Sequence, residues 1–326
     1  MFQTSKPLFF ICETPLHAGS GSDLGIVDLP IQREKHTGFP KIEGSSLKGA
    51  IREAVEGVFI KKAITEEEKL IAKNRKNEIV FALFGPEDVG NDAHMGAIGF
   101  TDARLLLFPV KSMKGVFAWI TCPKVLQQFE RDMQIVNPNF KLNNIPSNPN
   151  GGTCYLLNTN SSTIIVAADE KSVLLEEYAF KVQDVKTINV IENQNINPGE
   201  MNLHSWLAYY TSKEVFFQDK MVEDIIILSN DDFKDFVNLS TEVITRTKIN
   251  NDTGTVQPGA LFTEEFLPAE SVMYTLVMAS PIFKKDKGNL DTAESVMSAF
   301  TENLPNVMQI GGNTTLGKGI VRTKIN

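Results

Sequence analysis

What the chain lacks narrows its chemistry first. It has three cysteines and four histidines in 326 residues, and neither set shows the close spacing that zinc sites use. Cys12, Cys122 and Cys154 lie far apart, beside apolar residues or in a loop, so buried free thiols in a reducing compartment are the expectation. No stretch reaches the roughly 18 consecutive apolar residues of a membrane-spanning helix, and no secretory leader pattern opens the chain. A cytoplasmic protein without a membrane partner is therefore expected. A Gly-Lys-[Ser/Thr] phosphate loop is absent. Gly19-x-Gly21 with Gly25 misses the dinucleotide fingerprint, because the third glycine is displaced and a helix opens only some twenty residues later. Positive charge is not in excess either. A net charge of −8 argues against adhesion of nucleic acid over the whole surface, but a local basic groove remains open, because fields act within about 10 Å at 0.1 M salt.

What is present is an ordinary globular composition, 42% hydrophobic and 22% charged. The length allows one large domain with insertions or two ordinary ones, and no obvious linker divides it. An apolar strand at 7–12 is followed by about thirty residues without a clear period, then by a helix opening at Ser45-Ser46. Either serine can cap that helix, whose buried face is Leu47, Ile51, Ala54, Val55, Val58 and Phe59. A loop of that length is functional or disordered, and this one carries His17, Asp23, Asp28, Arg33, Lys35 and His36 among glycines. It is read as a mobile segment, poorly ordered without its partner.

Further along, a charged helical stretch closes on an apolar turn at 79–84, and strands follow at 97–108 and 115–121. Helices are expected at 123–133, 203–213, 231–238 and 293–304, with strands at 162–168, 179–182, 225–228, 273–281 and 320–324. Residues 186–202 read as a polar, flexible insertion. Residues 243–266 read as a projecting β-hairpin, with Arg246 and Lys248 on one arm and Glu264-Glu265 on the other. This order fits an α+β fold with a ferredoxin-like core better than a regular βαβ series.

Four groups of residues invite chemistry. Lys48 and Arg52 are four apart near a helix start, either as a solvated face or as part of a phosphate site with Ser45, Ser46 and free backbone N–H groups. Lys111 and Lys114 make the 109–114 connection basic, which a plain solvated turn would also explain. Gly311, Gly312, Gly317 and Gly319 surround Lys318, more glycine than a tight turn needs and suited to phosphate contact through backbone N–H groups. Asp28 sits in an apolar setting, where it either caps a turn or binds a divalent cation or orients a hydroxyl in phosphodiester cleavage. His17 is a second candidate, as a turn residue or as general acid or base.

In combination these motifs resemble the RAMP superfamily. They are Leu16-His17-Ala18-Gly19-Ser20-Gly21, Val27-Asp28-Leu29-Pro30-Ile31-Gln32-Arg33, Gly44-Ser45-Ser46-Leu47-Lys48-Gly49, Asp102 to Ser112, Gly259-Ala260-Leu261 with Glu264-Glu265, and the terminal glycine loop. Within that superfamily the pattern is similar to the backbone subunits of type III-B CRISPR effectors, the Cmr complexes.

The resemblance implies a modified ferredoxin-like palm in a single domain. It carries a catalytic loop at about 13–45, a helical insertion at about 61–95, a variable insertion at about 186–220 and a thumb hairpin at 243–266. It further implies copies of the chain stacked along a guide CRISPR RNA beside other subunits of the Cmr complex. Target RNA would be cut at regular intervals with a divalent cation, Mg2+ or Mn2+. Asp28 then matches the catalytic aspartate and potential metal ligand, and His17 an active-site position. Ser45, Ser46, Lys48, Arg52, Lys111, Arg246, Gly311, Gly312, Gly317, Lys318 and Gly319 fall to RNA contact. Opening the RNA at a displaced nucleotide favours in-line attack by a 2′-hydroxyl. The alternative is a non-catalytic RNA-binding protomer of the same filament, and a nucleotide-dependent enzyme built on the early glycines is a third reading.

Overall fold

The run Leu8-Phe9-Phe10-Ile11-Cys12 is apolar at every position, which calls for cover on both faces of a strand. In the computed structural model it forms most of strand β1 (Thr4–Cys12), and all five residues are buried. The structure describes residues 2–22, 25–61, 65–87, 94–158, 164–167, 171–192, 201–212, 214–283 and 290–325. β1 lies between Ile320–Ile325 and Val272–Ala279, and the latter is flanked in turn by Ala103–Lys111, every pair antiparallel. In chain order these four strands are first, fourth, third and second. Crossovers run through helix α1 (Gly44–Lys61) and helix Ala293–Asn303. That is the βαββαβ arrangement of a ferredoxin-like palm.

The chain between the second and third palm strands, residues 112–271, extends the same sheet outward. Its strands continue in the order Phe117–Thr121, Ile225–Leu228, Thr153–Leu156, Tyr178–Val185, Ser172–Leu175 and Ile165–Ala167. Helix Pro123–Val136 and helix Leu203–Thr211 cover one face of the palm. There Phe9 packs on Trp206 at 6.0 Å between ring centres, and Phe129 packs on Tyr274 at 4.9 Å. Alternation along β1 sends Leu8 and Phe10 to the opposite face. α1 contributes the buried Leu47, Ile51 and Val55 to the core, with Ala54 and Phe59 packed against it. Burial pushes the thiols of Cys12, Cys122 and Cys154 up to about 12, as expected of buried free cysteines.

Three local expectations are corrected. The residues at 79–84 are not a turn; they complete helix α2 (Glu66–Phe84), where Val80, Leu83 and Phe84 recur at helical spacing and are buried. Neither Ser45 nor Ser46 caps α1. The helix starts at Gly44, whose N–H donates to the Asp102 carboxylate at 2.9 Å, so the cap comes from a residue distant in sequence. The polar 186–202 stretch is anchored in part: Asn189–Ile191 pairs with Lys141–Asn143 and Met201–Asn202, with Ile188 and Val190 buried. The rest of that insertion at 193–200, and residue 213, lie outside the described residues. No described helix is long and apolar enough to cross a membrane.

Glu270 marks the point where the chain returns to the palm after the hairpin. It holds a left-handed φ of 70°, its N–H donates to the Cys12 carbonyl at 2.7 Å, and its carbonyl accepts from the Trp119 indole at 2.7 Å. Burial, reinforced by the negative charge of Glu13, raises its carboxyl from 4.5 to about 7, and the opposing charge of Lys220 offsets only part of this. The folded pKa lies above the unfolded one, so this group favours folding below about 4.5, and that advantage is lost as pH rises to about 7. Glu270→Gln should therefore stabilise the chain at pH 8 by about 1–2 kcal/mol, a figure discounted for solvent screening. The gain should vanish near pH 4.5, where wild type is also neutral. Denaturation midpoints across that range check it, and a pH-independent difference would refute the assignment.

Candidate functional site

The long loop after β1 is stitched to the rest of the chain by backbone bonds. Bridges join Gly19 to Ile31, Arg33 to Pro40 and Leu29 to Glu264. The last of these lays residues 28–31 alongside the hairpin that sequence reasoning expected. Its arms are Glu242–Arg246 and Phe262–Phe266, with Val243 opposite Glu265 and Ile244 opposite Glu264. The expectation of an unpinned segment fails here, while residues 23–24 lie outside the described residues.

Asp28 meets the hairpin at Thr263. Its Oδ2 accepts from the Thr263 N–H at 2.7 Å and from the Thr263 hydroxyl at 2.8 Å, and its own N–H donates to that hydroxyl at 3.0 Å. The Thr263 backbone N–H first, and its hydroxyl second, hold the Asp28 carboxyl below the usual carboxylate range. The side chain is exposed. Asp28 thus presents a fixed, ionised carboxylate to solvent.

Two residues along the same strand, a span of about 7 Å, the Glu265 carbonyl faces His17 Nδ1 at 2.7 Å. A carbonyl only accepts, so Nδ1 carries the proton in the neutral ring. His17 is 9% exposed. Its ring lies 5.5 Å from Phe266, and a Cβ on Gly19 would come within 2.7 Å of Nε2. The histidine is wedged between loop, hairpin and glycine loop.

The two acidic residues of the hairpin point to opposite sides and both are buried. Glu265 accepts from Arg33 at 2.5 Å, from the Thr241 hydroxyl at 2.8 Å and from the Ile31 N–H at 3.0 Å. Arg33 also donates to the carbonyls of Gly38 and Val237 and to Asn238, which ties the loop, the hairpin root and helix Asn230–Leu239 together. Glu264 pairs with Arg246 and accepts from Asn313 Nδ2 at 2.7 Å. Phe266 beside it has Lys318 Nζ 4.9 Å from its ring centre and the Arg246 guanidinium at 5.7 Å. Among the described residues Lys318 has no ion-pair partner.

The terminal glycines divide by what surrounds them. A Cβ on Gly311 would sit 2.2 Å from the His17 carbonyl, and one on Gly319 would sit 2.0 Å from the Ile310 carbonyl. Both positions are needed for internal packing. Gly317 has a φ of 70° with open space around it, and Gly312 donates to the His17 carbonyl at 2.9 Å. At the start of α1, Ser45 and Ser46 are exposed, and Ser46 Oγ accepts from Gln32 at 3.4 Å. Gln32 also bonds the Gly19 carbonyl and the Glu43 N–H, which joins α1 to the loop. Burial alone would raise the Asp102 carboxyl at this helix end, but the Gly44 N–H and Lys41 hold it below the usual range.

Lys48 is half-buried and donates to the Ile98 carbonyl at 3.2 Å; burial, then the charge of Arg52, lower its pKa. Arg52 bonds Glu56 at 2.9 Å and the Gly85 carbonyl at 3.0 Å. Lys111 is not brought to this site. It ends the second palm strand next to Glu176, whose N–H donates to its carbonyl. The structure thus gathers Asp28, His17, Arg246, Gly311, Gly312 and Lys318 around one hairpin, with Ser46 attached through Gln32 and Ser45 exposed beside it.

Sequence reasoning did not assign roles to Thr263, Gln32 or Asn313, or to the two separate ion pairs, Arg33 with Glu265 and Arg246 with Glu264. The only signal was their presence in motifs distant along the chain. A divalent cation would find one protein ligand at this site. Asp28 is a hard, ionised oxygen donor and fits one ligand position. Among the described residues no group of three or more His, Cys, Asp or Glu could hold a metal, so oxygens from water or a bound substrate would have to complete the shell.

Comparison with known proteins agrees with this architecture. A relative named CRISPR system Cmr endoribonuclease Cmr4, from Pyrococcus furiosus, is 35% identical over 96% of this chain and 92% of its own. CRISPR system CMR subunit Cmr4 of Saccharolobus solfataricus is 26% identical over 98% of this chain and 96% of its own. The crystal structure of oligomeric Cmr4 from Pyrococcus furiosus superposes with a TM-score of 0.63 at 26% identity, covering 99% of this chain and 98% of that one. The profile of the RAMP superfamily matches residues 9–322, which includes Asp28, the hairpin and the terminal glycine loop. From palm topology to sequence profile, the chain belongs to the RAMP superfamily.

Proposed function

We propose that this chain is the repeating backbone subunit of a type III-B Cmr effector. In this reading it binds guide CRISPR RNA in a helical filament of its own copies, beside other Cmr subunits in the cytoplasm, and cuts complementary target RNA at regular intervals. The 35% identical relative that is named a Cmr endoribonuclease supports it, as does the oligomeric state named for a 26% identical structure. The observation that carries the cutting role is the exposed, ionised Asp28 carboxylate fixed on the thumb strand.

Base pairing supplies sequence recognition, so the protein needs only to hold backbone. Ser45 and Ser46, the open face of Gly317, and the Lys318 ammonium are suited to that work. A nucleotide pushed out of pairing by the thumb reaches in-line geometry. Its 2′-hydroxyl attacks the adjacent phosphorus and loses its proton to water, the phosphorus–5′-oxygen bond breaks, the leaving oxygen takes a proton from water, and the products carry a 2′,3′-cyclic phosphate and a 5′-hydroxyl. Asp28, held ionised, orients the attacking group and does not donate a proton. His17, buried and bonded through Nδ1, positions the thumb root. A divalent cation bound at Asp28, Mg2+ or Mn2+, would supply neutralisation of charge on the phosphate.

Asp28→Ala in the reconstituted complex should reduce target cutting by at least about a hundredfold, with guide binding and assembly retained. Undiminished cutting would remove Asp28 from the site and favour the non-catalytic protomer. Product ends of 3′-hydroxyl and 5′-phosphate would exclude the 2′-hydroxyl route.

A further inference from the structure

Thr263 commits all its polar atoms to two residues of the loop. Its N–H donates to Asp28 Oδ2 at 2.7 Å, and its hydroxyl both donates to that oxygen at 2.8 Å and accepts from the Asp28 N–H at 3.0 Å. Its carbonyl accepts from the Leu29 N–H at 3.0 Å. Asp28 itself lies in the open: Gly25, Ile26 and Asp28 are exposed, Ile26 completely. Packing therefore does not hold the carboxylate in place. Among the described residues, Thr263 is the only side chain that bonds it.

Resting on the reading of Asp28 as the cutting carboxylate, we propose that Thr263 is its positioning residue, locking the carboxylate to the thumb so that thumb placement and cutting competence are one mechanical event. The thumb end of this link is firm. Adjacent residues on the same strand are buried and tied down, Glu264 to Arg246 and Asn313, and Glu265 to Arg33, Thr241 and Ile31. The strand is a fixed bar, the 28–31 segment is hung from it, and the Thr263 hydroxyl sets where Oδ2 points. A hydroxyl that serves as donor and acceptor to one residue fixes both the carboxylate rotamer and the backbone behind it. Hydrogen bonds to an ionised acceptor are the stronger kind.

Valine keeps the shape and strand preference of threonine and removes only the hydroxyl, while serine keeps the hydroxyl. Thr245 faces Thr263 across the hairpin and is exposed, so Thr245→Val is the matched control for a general effect on the thumb. In the reconstituted effector with guide and target RNA, Thr263→Val should slow single-turnover cutting about tenfold to a hundredfold, the effect of a small misplacement of a reacting group. Target affinity and the spacing of cuts should not change. Thr263→Ser should restore most of the rate, and Thr245→Val should cut like wild type.

Three results overturn the role: wild-type cutting by Thr263→Val, a loss of target affinity that accounts for the slower cutting, or no rescue by serine. Asp28→Ala, run in parallel, separates the two readings. If it is inactive while Thr263→Val is normal, only the role of Thr263 falls. If it cuts normally, the role of Asp28 falls and takes that of Thr263 with it.

Discussion

Arg33→Ala should loosen the thumb from the palm and destabilise the chain by about 3–5 kcal/mol, the usual result of removing one partner of a buried ion pair. The Glu265 side chain is 6% exposed and that of Arg33 is 20% exposed, so solvent does little to replace the lost charge. The Arg33 guanidinium has four partners, in the loop, the hairpin and helix Asn230–Leu239. Its removal leaves two carbonyls and a carboxylate short of a donor at once. Folded domains hold only about 5–15 kcal/mol in reserve, so the variant should lose a large part of its stability. Denaturant midpoints measure this, and a change below about 1 kcal/mol would show that the ion pair is not a structural lock. The double variant Arg33→Met with Glu265→Leu should recover part of the loss, because an unpaired buried carboxylate costs more than an apolar replacement for the pair. The recovery should be incomplete, since the Thr241 hydroxyl and the Ile31 N–H also rely on Glu265.

Gly311→Ala should be the second severe change, and Gly317→Ala the mild comparison within the same loop. Both glycines have left-handed backbones, with φ of 81° and 70°. Alanine in that region costs roughly 1–2 kcal/mol, and at Gly317 nothing lies within 4 Å of the added carbon. At Gly311 the added carbon meets the His17 carbonyl at 2.2 Å, and overpacking adds about 1–3 kcal/mol. That carbonyl also accepts from the Gly312 N–H, so relieving the clash moves His17, Phe266 and the hairpin root together. Thermal midpoints should fall clearly further for Gly311→Ala than for Gly317→Ala. Equal losses would mean that backbone conformation alone accounts for both. If Gly317 borders the guide backbone as proposed, its alanine variant should still weaken guide binding while remaining well folded.

Much of the fold was legible from pattern alone. The continuous apolar run of β1, the helical spacing of Leu47, Ile51 and Val55, and the hairpin between 243 and 266 all appear as read. The misread elements failed for physical reasons. Residues 79–84 look like a turn because Gly85-Pro86 follows them, yet the apolar positions continue a helix. Asn-rich 186–202 looks unstructured because, among its described residues, only Ile188 and Val190 are buried. The serines near α1 look like caps because their chemistry suits one, but a carboxylate from Asp102 reaches Gly44 first.

The sequence by itself determined the elements and the chemical groups available to them. Period and apolar continuity are local properties, and Asp28, Lys318 and the glycines stand in recognisable motifs. Only the tertiary structure decided what those groups do to one another. Asp28 and Thr263 are 235 positions apart, Arg33 and Glu265 are 232, and His17 and the Glu265 carbonyl are 248. No local pattern encodes such separations, because they arise when the thumb and the third palm strand that follows it fold back onto β1 and its loop. A segment read as free was therefore found held. Its hydrogen bonds lie on the far side of the chain, and they turn a mobile aspartate into an aimed carboxylate.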